Sequence, residues 1–115
     1  NTPLQALALM NDVQFVEAAR VFGQRILHRE GSDHKRIKWA VMEALSRPAT
    51  ELEFQVLKNA LQRERLYYRN HEAAAHKLLS MGESVRDPEL SMVEHAAWTQ
   101  IAGTIFNLSE FVTRN

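Results

Sequence analysis

Two histidines and a glutamate stand close together in His71-Glu72-Ala73-Ala74-Ala75-His76, a pattern near the H-E-x-x-H of helical zinc sites. In that motif the histidines are four apart, about 40° from alignment on the helix, and can share one metal. Here they are five apart, about 140° at 100° per residue, so their side chains diverge. Downstream, His95 is the one candidate for a third ligand. The preferred reading is therefore a solvated helix face, with no metal or cofactor site.

A second concentration of chemistry is basic. Six Lys/Arg fall between Arg20 and Lys38, with His28 and His34 among them. Such a stretch can meet phosphate or an acidic partner. It can equally be the wet side of two helices whose long stems cover apolar surface, which is the reading preferred here. Trp39 and Trp98 lie beside apolar stripes, and each is expected at a boundary with its indole N–H reaching outward. The functional alternative is contact with a neighbouring domain or a sugar ring. Arg25, Arg29, Lys35, Arg36, Lys38, Trp39 and Trp98 are accordingly the candidate interaction surface. Met10, Met42, Met81 and Met92 read as gap-fillers, against the alternative of a haem ligand for another domain. Most hydroxyl residues sit where caps or loops are expected, and Ser46, Thr99, Thr104 and Ser109 have no recognisable His/Asp partner. No Gly-rich phosphate loop is present, so no catalytic residue is assigned.

The elements that must position these residues read as helix after helix. Thr2-Pro3 predicts a cap and first turn for a short helix, Leu4 to about Met10. Asp12 can cap a longer one to about Arg29, with Phe15, Ala19, Phe22 and Ile26 on one face and Gly31 closing it. Ser32 or Asp33 can cap the next, whose stripe is Ile37, Val41, Ala44 and Leu45, ended by Arg47-Pro48. Thr50 and Glu53 form a capping box for a helix to about Arg69, with Phe54, Leu57, Leu61 and Tyr68 on one flank and Val56 and Ala60 on the adjoining one. Asn70 interrupts it before a shorter helix, Ala73 to Met81, stopped by Gly82. Residues 83–87 form a loop. Asp87-Pro88 is expected to start a final long helix with Leu90, Val93, Ala97, Ile101, Ile105 and Leu108 on its face. No strand alternation, fixed-period repeat or low-complexity segment is found. The fold class is all-α, an irregular bundle of four main helices plus short ones, in one helical domain over residues 1–115.

Composition bounds the function. The 115 residues carry 14 Lys+Arg against 14 Asp+Glu, a balance that argues against a nucleic-acid binder. Hydrophobic residues make up 45%, enough for a core. No run approaches the roughly 18 to 20 apolar residues of a membrane span. With no cysteine, the chain has no disulfide, thiolate zinc site or thiol nucleophile. Residues 1–69 carry 11 basic and 8 acidic side chains and residues 70–115 carry 3 and 6, a mild polarity that could orient the chain against a neighbour. The opening Asn1-Thr2-Pro3-Leu4 has neither an initiator Met nor a signal core, so a fragment of a longer protein is expected.

Three blocks resemble one family. Thr2-Pro3-Leu4-Gln5-Ala6-Leu7-Ala8-Leu9-Met10-Asn11-Asp12, continuing into Phe15-Val16-Glu17-Ala18-Ala19-Arg20, resembles the C-terminal part of a planctomycete surface-protein domain of unknown function, DUF1553 or PSD1. Ala44 to Glu53 resembles its LGRxPTxxEL turn, with Ser46 in place of the usual glycine and Pro48 directly after Arg47, a turn expected to be one residue tighter. Trp98 and Ile105 to Arg114 resemble its closing LLNLDEFLTR segment. The resemblance implies a large exported parent at the periplasm or cell surface, with DUF1549 and often cytochrome-c-like domains upstream. It supplies no catalytic residue. Its recurring residues, Thr2-Pro3, Asn11-Asp12, Arg47-Pro48 and Asn107, fit helix starts and joints, and Gln5 and Asn11 would tie the first joint if buried.

The first expectation is thus a non-catalytic helical module packing against other domains of its parent. A second is one wall of an enzyme or redox site, perhaps on polysaccharide, completed by upstream domains. A third is a homo-oligomeric helical domain.

Overall fold

A computed structural model describes residues 12–113, and the side chains of residues 12–108. Five helices account for it: α1 Val13–Leu27, α2 Asp33–Leu45, α3 Glu51–Arg69, α4 Glu72–Leu79 and α5 Met92–Thr113. No strand occurs among the described residues. Four long helices and one short one form the all-α bundle expected from the periodicity. The expected helix from Leu4 to Met10, and the joint at Gln5 and Asn11, lie outside the described residues.

Local signals set most boundaries. Asp12 caps α1 by accepting the N–H groups of Gln14 and Phe15, and Ser32 caps α2 by accepting that of Lys35. Thr50 and Glu53 close a full capping box at α3. The chain leaves α2 through Ser46, which adopts the left-handed conformation (φ 58°) that a glycine takes without steric cost. The predicted end of α1 at Arg29 is two residues late, because His28 already turns out of the helix and Gly31 (φ 125°) reverses the chain. Asp87-Pro88 does not begin the last helix. Asp87 spends its carboxylate on the N–H of Glu89 in a turn, and Ser91 accepts the N–H of Glu94 at the real start.

At the centre lies α5, packed against all four other helices and most extensively against α1 and α3. His95, Ala96, Ala97, Trp98 and Thr99 are five consecutive buried residues, so this helix is covered on every side. That overturns the expected boundary position of Trp98. It is fully buried and its indole N–H has no partner among the described residues. The apolar stripe chosen from the sequence assumed a helix with one wet face, which α5 does not have there. Val56 was likewise expected on an apolar flank of α3, but it faces solvent while Ala60 is buried. Where α1 crosses α5, a Cβ on Gly23 would stand 3.0 Å from the Thr99 backbone nitrogen and 3.1 Å from the Trp98 carbonyl carbon. Backbone therefore meets backbone at this crossing.

Polar ties complete the frame. Arg65 of α3 reaches both carboxylate oxygens of Asp33 at the start of α2 (2.6 and 2.9 Å) and both of Glu94 in α5 (2.8 Å each). One guanidinium fork thereby joins three helices, and the pairing raises the pKa of Arg65 and lowers that of Asp33. Arg47 binds Glu53 through two 2.8 Å bonds, bracing the α2–α3 turn. Together with the capping bonds of Thr50, Arg47 holds the Glu53 carboxyl down from 4.5 to about 2.

This pairing sets an acid response. A carboxylate whose pKa is depressed on folding stabilises the fold above its unfolded value, and that contribution is lost as pH falls toward the folded one. His95 acts higher on the scale, since burial foremost, with Arg86 and Arg20 also opposing its charge, lowers its pKa below 6.5. Urea midpoints are expected to decline below about pH 6.5 through His95, and again between about pH 4.5 and 2 through Glu53, with Asp33 and Glu17 contributing to the second decline. Glu53→Gln should make the second decline shallower and leave the first. A variant that tracks the wild type down to pH 2 would refute the assignment.

Candidate functional site

The buried face of α1 is Val16, Ala19, Arg20, Phe22, Gly23 and Ile26. Buried beside these apolar neighbours, Arg20 is 2% exposed. Its Nε donates to the Met81 carbonyl (3.1 Å) and its Nη2 to that of Ser84 (2.7 Å). Glu17 accepts the N–H groups of Glu83 (3.1 Å) and Ser84 (2.7 Å) and the Ser84 hydroxyl (2.5 Å). Gln24 accepts the N–H of Asp87 at 2.8 Å, and His28 lies 2.9 Å from the Asp87 carboxylate. Glu17, Arg20, Gln24 and His28 thus form a ladder at spacings of three, four and four that straps the 80–91 connection to α1. Ser84, ahead of its backbone and the Glu83 N–H, draws the Glu17 pKa down.

Beneath the strap, the two nitrogens of His95 are both occupied. Nδ1 accepts from Arg86 Nε (3.2 Å), so Nε2 carries the proton and donates to the Arg20 carbonyl at 2.9 Å. His95 is therefore a neutral bridge between α1 and the connection, and both nitrogens are unavailable to a metal. His71 stacks on Tyr67 at 4.1 Å and its Nδ1 lies 2.8 Å from the Tyr67 carbonyl. Among the described residues, no three His, Asp or Glu side chains come together around a possible metal position.

Along α2, the margin of the buried face of α1 meets solvent. Phe22 and Arg25 share a side of α1 by their three-residue spacing, Arg29 follows just past its end, and Trp39 and Glu43 share a side of α2. The Phe22 and Trp39 rings lie 6.0 Å apart, with the Arg25 guanidinium carbon 5.5 Å and the Arg29 one 4.9 Å from the centroid of Trp39. Arg25 also binds Glu43 at 2.8 Å. Phe106 of α5 stacks on Phe22 at 5.5 Å and meets Phe15 edge-on at 5.9 Å, extending the aromatic row. Alongside runs an open groove of about 550 Å³ with Ala18, Val21, Phe22, Ala44 and Phe106 in its apolar lining. Glu17, Arg25 and Glu43 supply charge at its margins.

Of the seven residues singled out in the sequence, Arg25, Arg29 and Trp39 come together here. Lys35 and Lys38 are exposed on α2 nearby. Arg36 turns back and donates to the Arg29 (2.9 Å) and Leu27 (3.1 Å) carbonyls, closing the end of α1. Trp98 belongs to the core, not to this surface. Sequence reasoning missed Phe106 and Glu43 as members. The only signal for Glu43 was its four-residue spacing from Trp39, which ordinary surface residues share.

The sequence model of the family described as PSD1, protein of unknown function (DUF1553), matches residues 1–61. The chain belongs to this family. No curated protein and no solved structure matches it. The match takes in α1, α2 and the first half of α3, and with them Arg25 and Glu43 of the groove and the neighbouring Arg29 and Trp39. Phe106 lies beyond it. Within this PSD1 chain, the Arg47–Glu53 brace and the capping box also fall inside the matched residues.

Proposed function

We propose that this PSD1 chain is a non-catalytic helical packing module whose α1–α2 groove receives a segment from another domain of an exported planctomycete protein. The observation that carries this reading is the open groove lined by exposed Ala18 and Val21 and by half-buried Phe106, with Arg25 and Glu43 at its margins. An apolar side chain seated on Val21 and Phe106 would remove apolar area from water. An acidic residue beside it would meet Arg25 and Arg29, whose guanidinium carbons lie 5.5 and 4.9 Å from the centroid of Trp39. The occupant is thus an apolar segment with an acidic flank. The family membership supports a periplasmic or cell-surface setting, with DUF1549 and cytochrome-c-like domains as the neighbours proposed to supply it.

Calorimetric titration of this chain with the remaining domains of its parent tests the reading. Trp39→Ala and Arg29→Glu should each weaken binding by at least tenfold, about 1.4 kcal/mol, with an unchanged helical spectrum. Binding that is unaffected by both substitutions would refute it. If they instead abolish an activity of the full-length parent while docking persists, the groove is the wall of a site completed upstream.

A further inference from the structure

The outer face of α3 repeats apolar residues where a solvated helix has no use for them. Leu52, Val56, Asn59, Arg63 and Leu66 follow one another at spacings of four, three, four and three, all exposed. Leu52 is 74% exposed, Val56 51% and Leu66 58%. At 100° per residue this seam lies diametrically opposite Phe54, Leu57, Leu61 and Tyr68, which face the core. The spacing is that of a coiled-coil seam with a polar residue at its middle.

The charges along α3 select the occupant and its direction. Glu51 stands at the start of the helix and Arg63 and Arg69 toward its end; none of the three has an ion-pair partner among the described residues. A parallel copy would press Arg63 against its equivalent in the seam. An antiparallel copy with its two-fold at Asn59 instead sets Leu52 against Leu66 of the second copy and Val56 against the Arg63 stem. Glu51 then meets Arg69 of the second copy at both ends, on the same flank of the seam. The two Asn59 side chains face each other and can exchange amide hydrogen bonds.

We propose that this face of α3 pairs with a second copy of the chain in an antiparallel, isologous dimer. Only one helix of 19 residues, about 28 Å long, contributes on each side, so the interface is small and the association weak and reversible.

Sedimentation of the 115-residue chain up to about 0.5 mM should show a monomer–dimer equilibrium with a dissociation constant on the order of 0.1 mM. Leu52→Glu combined with Leu66→Glu should leave a monomer with unchanged helicity. Glu51→Arg should weaken the dimer, and adding Arg69→Glu should restore it. Because the chain has no cysteine, direction can be read by oxidation. Asn59→Cys should cross-link readily across the two-fold, whereas Leu52→Cys should not, its partner lying about 20 Å away along the helix. A monomer throughout the range overturns the proposal. So does a dimer indifferent to the Leu52/Leu66 pair, or Leu52→Cys cross-linking faster than Asn59→Cys.

Discussion

Replacing Gly23 with valine should lower the unfolding free energy by about 3 kcal/mol, the upper end of what overpacking costs. The reason is the crossing of α1 and α5, where even a single Cβ would stand 3.0 Å from the Thr99 nitrogen. Both atoms flanking that space are backbone, so no rotamer change can make room and the helices themselves must separate. Separation would also unseat Trp98 and Ile101, which are fully buried. Alanine poses the sharper question. In a helix interior it gains about 1 kcal/mol over glycine by intrinsic propensity, and an uncrowded site would therefore be stabilised. Here the collision should outweigh that gain and leave Gly23→Ala about 1 kcal/mol less stable than the wild type. Urea unfolding followed by circular dichroism measures both variants, and a stabilised Gly23→Ala would show that the crossing can relax.

Arg20→Ala should cost about 3 kcal/mol, by a different route. It removes two charge-assisted bonds to the Met81 and Ser84 carbonyls, each worth about 1.5 kcal/mol or more, and leaves a hole where a long buried stem had packed. Arg20→Lys should recover only part of the loss, because an ammonium on a linear stem cannot reproduce the guanidinium's two directions. The strap from residue 80 to 91 should open before the rest of the fold, visible as faster amide exchange at Glu83 and Ser84. Unchanged exchange there, with a stability loss under about 0.5 kcal/mol, would mean that Glu17 and Gln24 hold the strap without Arg20.

The contrast between these two residues shows what could be read from the sequence. The helices themselves were legible, since Asp12, Thr50 with Glu53, Gly31 and Gly82 punctuate apolar residues at helical spacing. So were most core residues of α1 and α3, Val56 and Arg20 apart, because each of those helices has one wet side and periodicity reports it. Periodicity fails on α5. From Ala96 to Ser109 that helix carries no Lys, Arg, Asp or Glu, and this absence, more than any stripe, was the sign that Trp98 is enclosed. Arg20 failed for the opposite reason. A charged residue at helical spacing with Glu17 and Gln24 resembles a solvated face, and only the fold brings the 80–91 connection against it. The same holds for Arg65, whose carboxylate partners lie 32 and 29 residues away. Beside the groove, the Arg25, Arg29 and Trp39 cluster was legible because all three lie within one short stretch of sequence. Phe106 enters from far along the chain and was not.

The position of α5 in the chain carries a further consequence for how the protein is made. The helix that fills the middle is the last of the five to leave the ribosome. Until it arrives, α1 and α3 have no common surface against which to bury Phe22, Ile26, Leu57 and Leu61, and short isolated helices are marginal in water. Native structure must therefore form late, after most of the chain has been synthesised, and the nascent polypeptide stays open and threadable for longer than one built from neighbouring hairpins. A ribosome-arrested chain ending at Ser91 should accordingly remain protease-sensitive along its whole length.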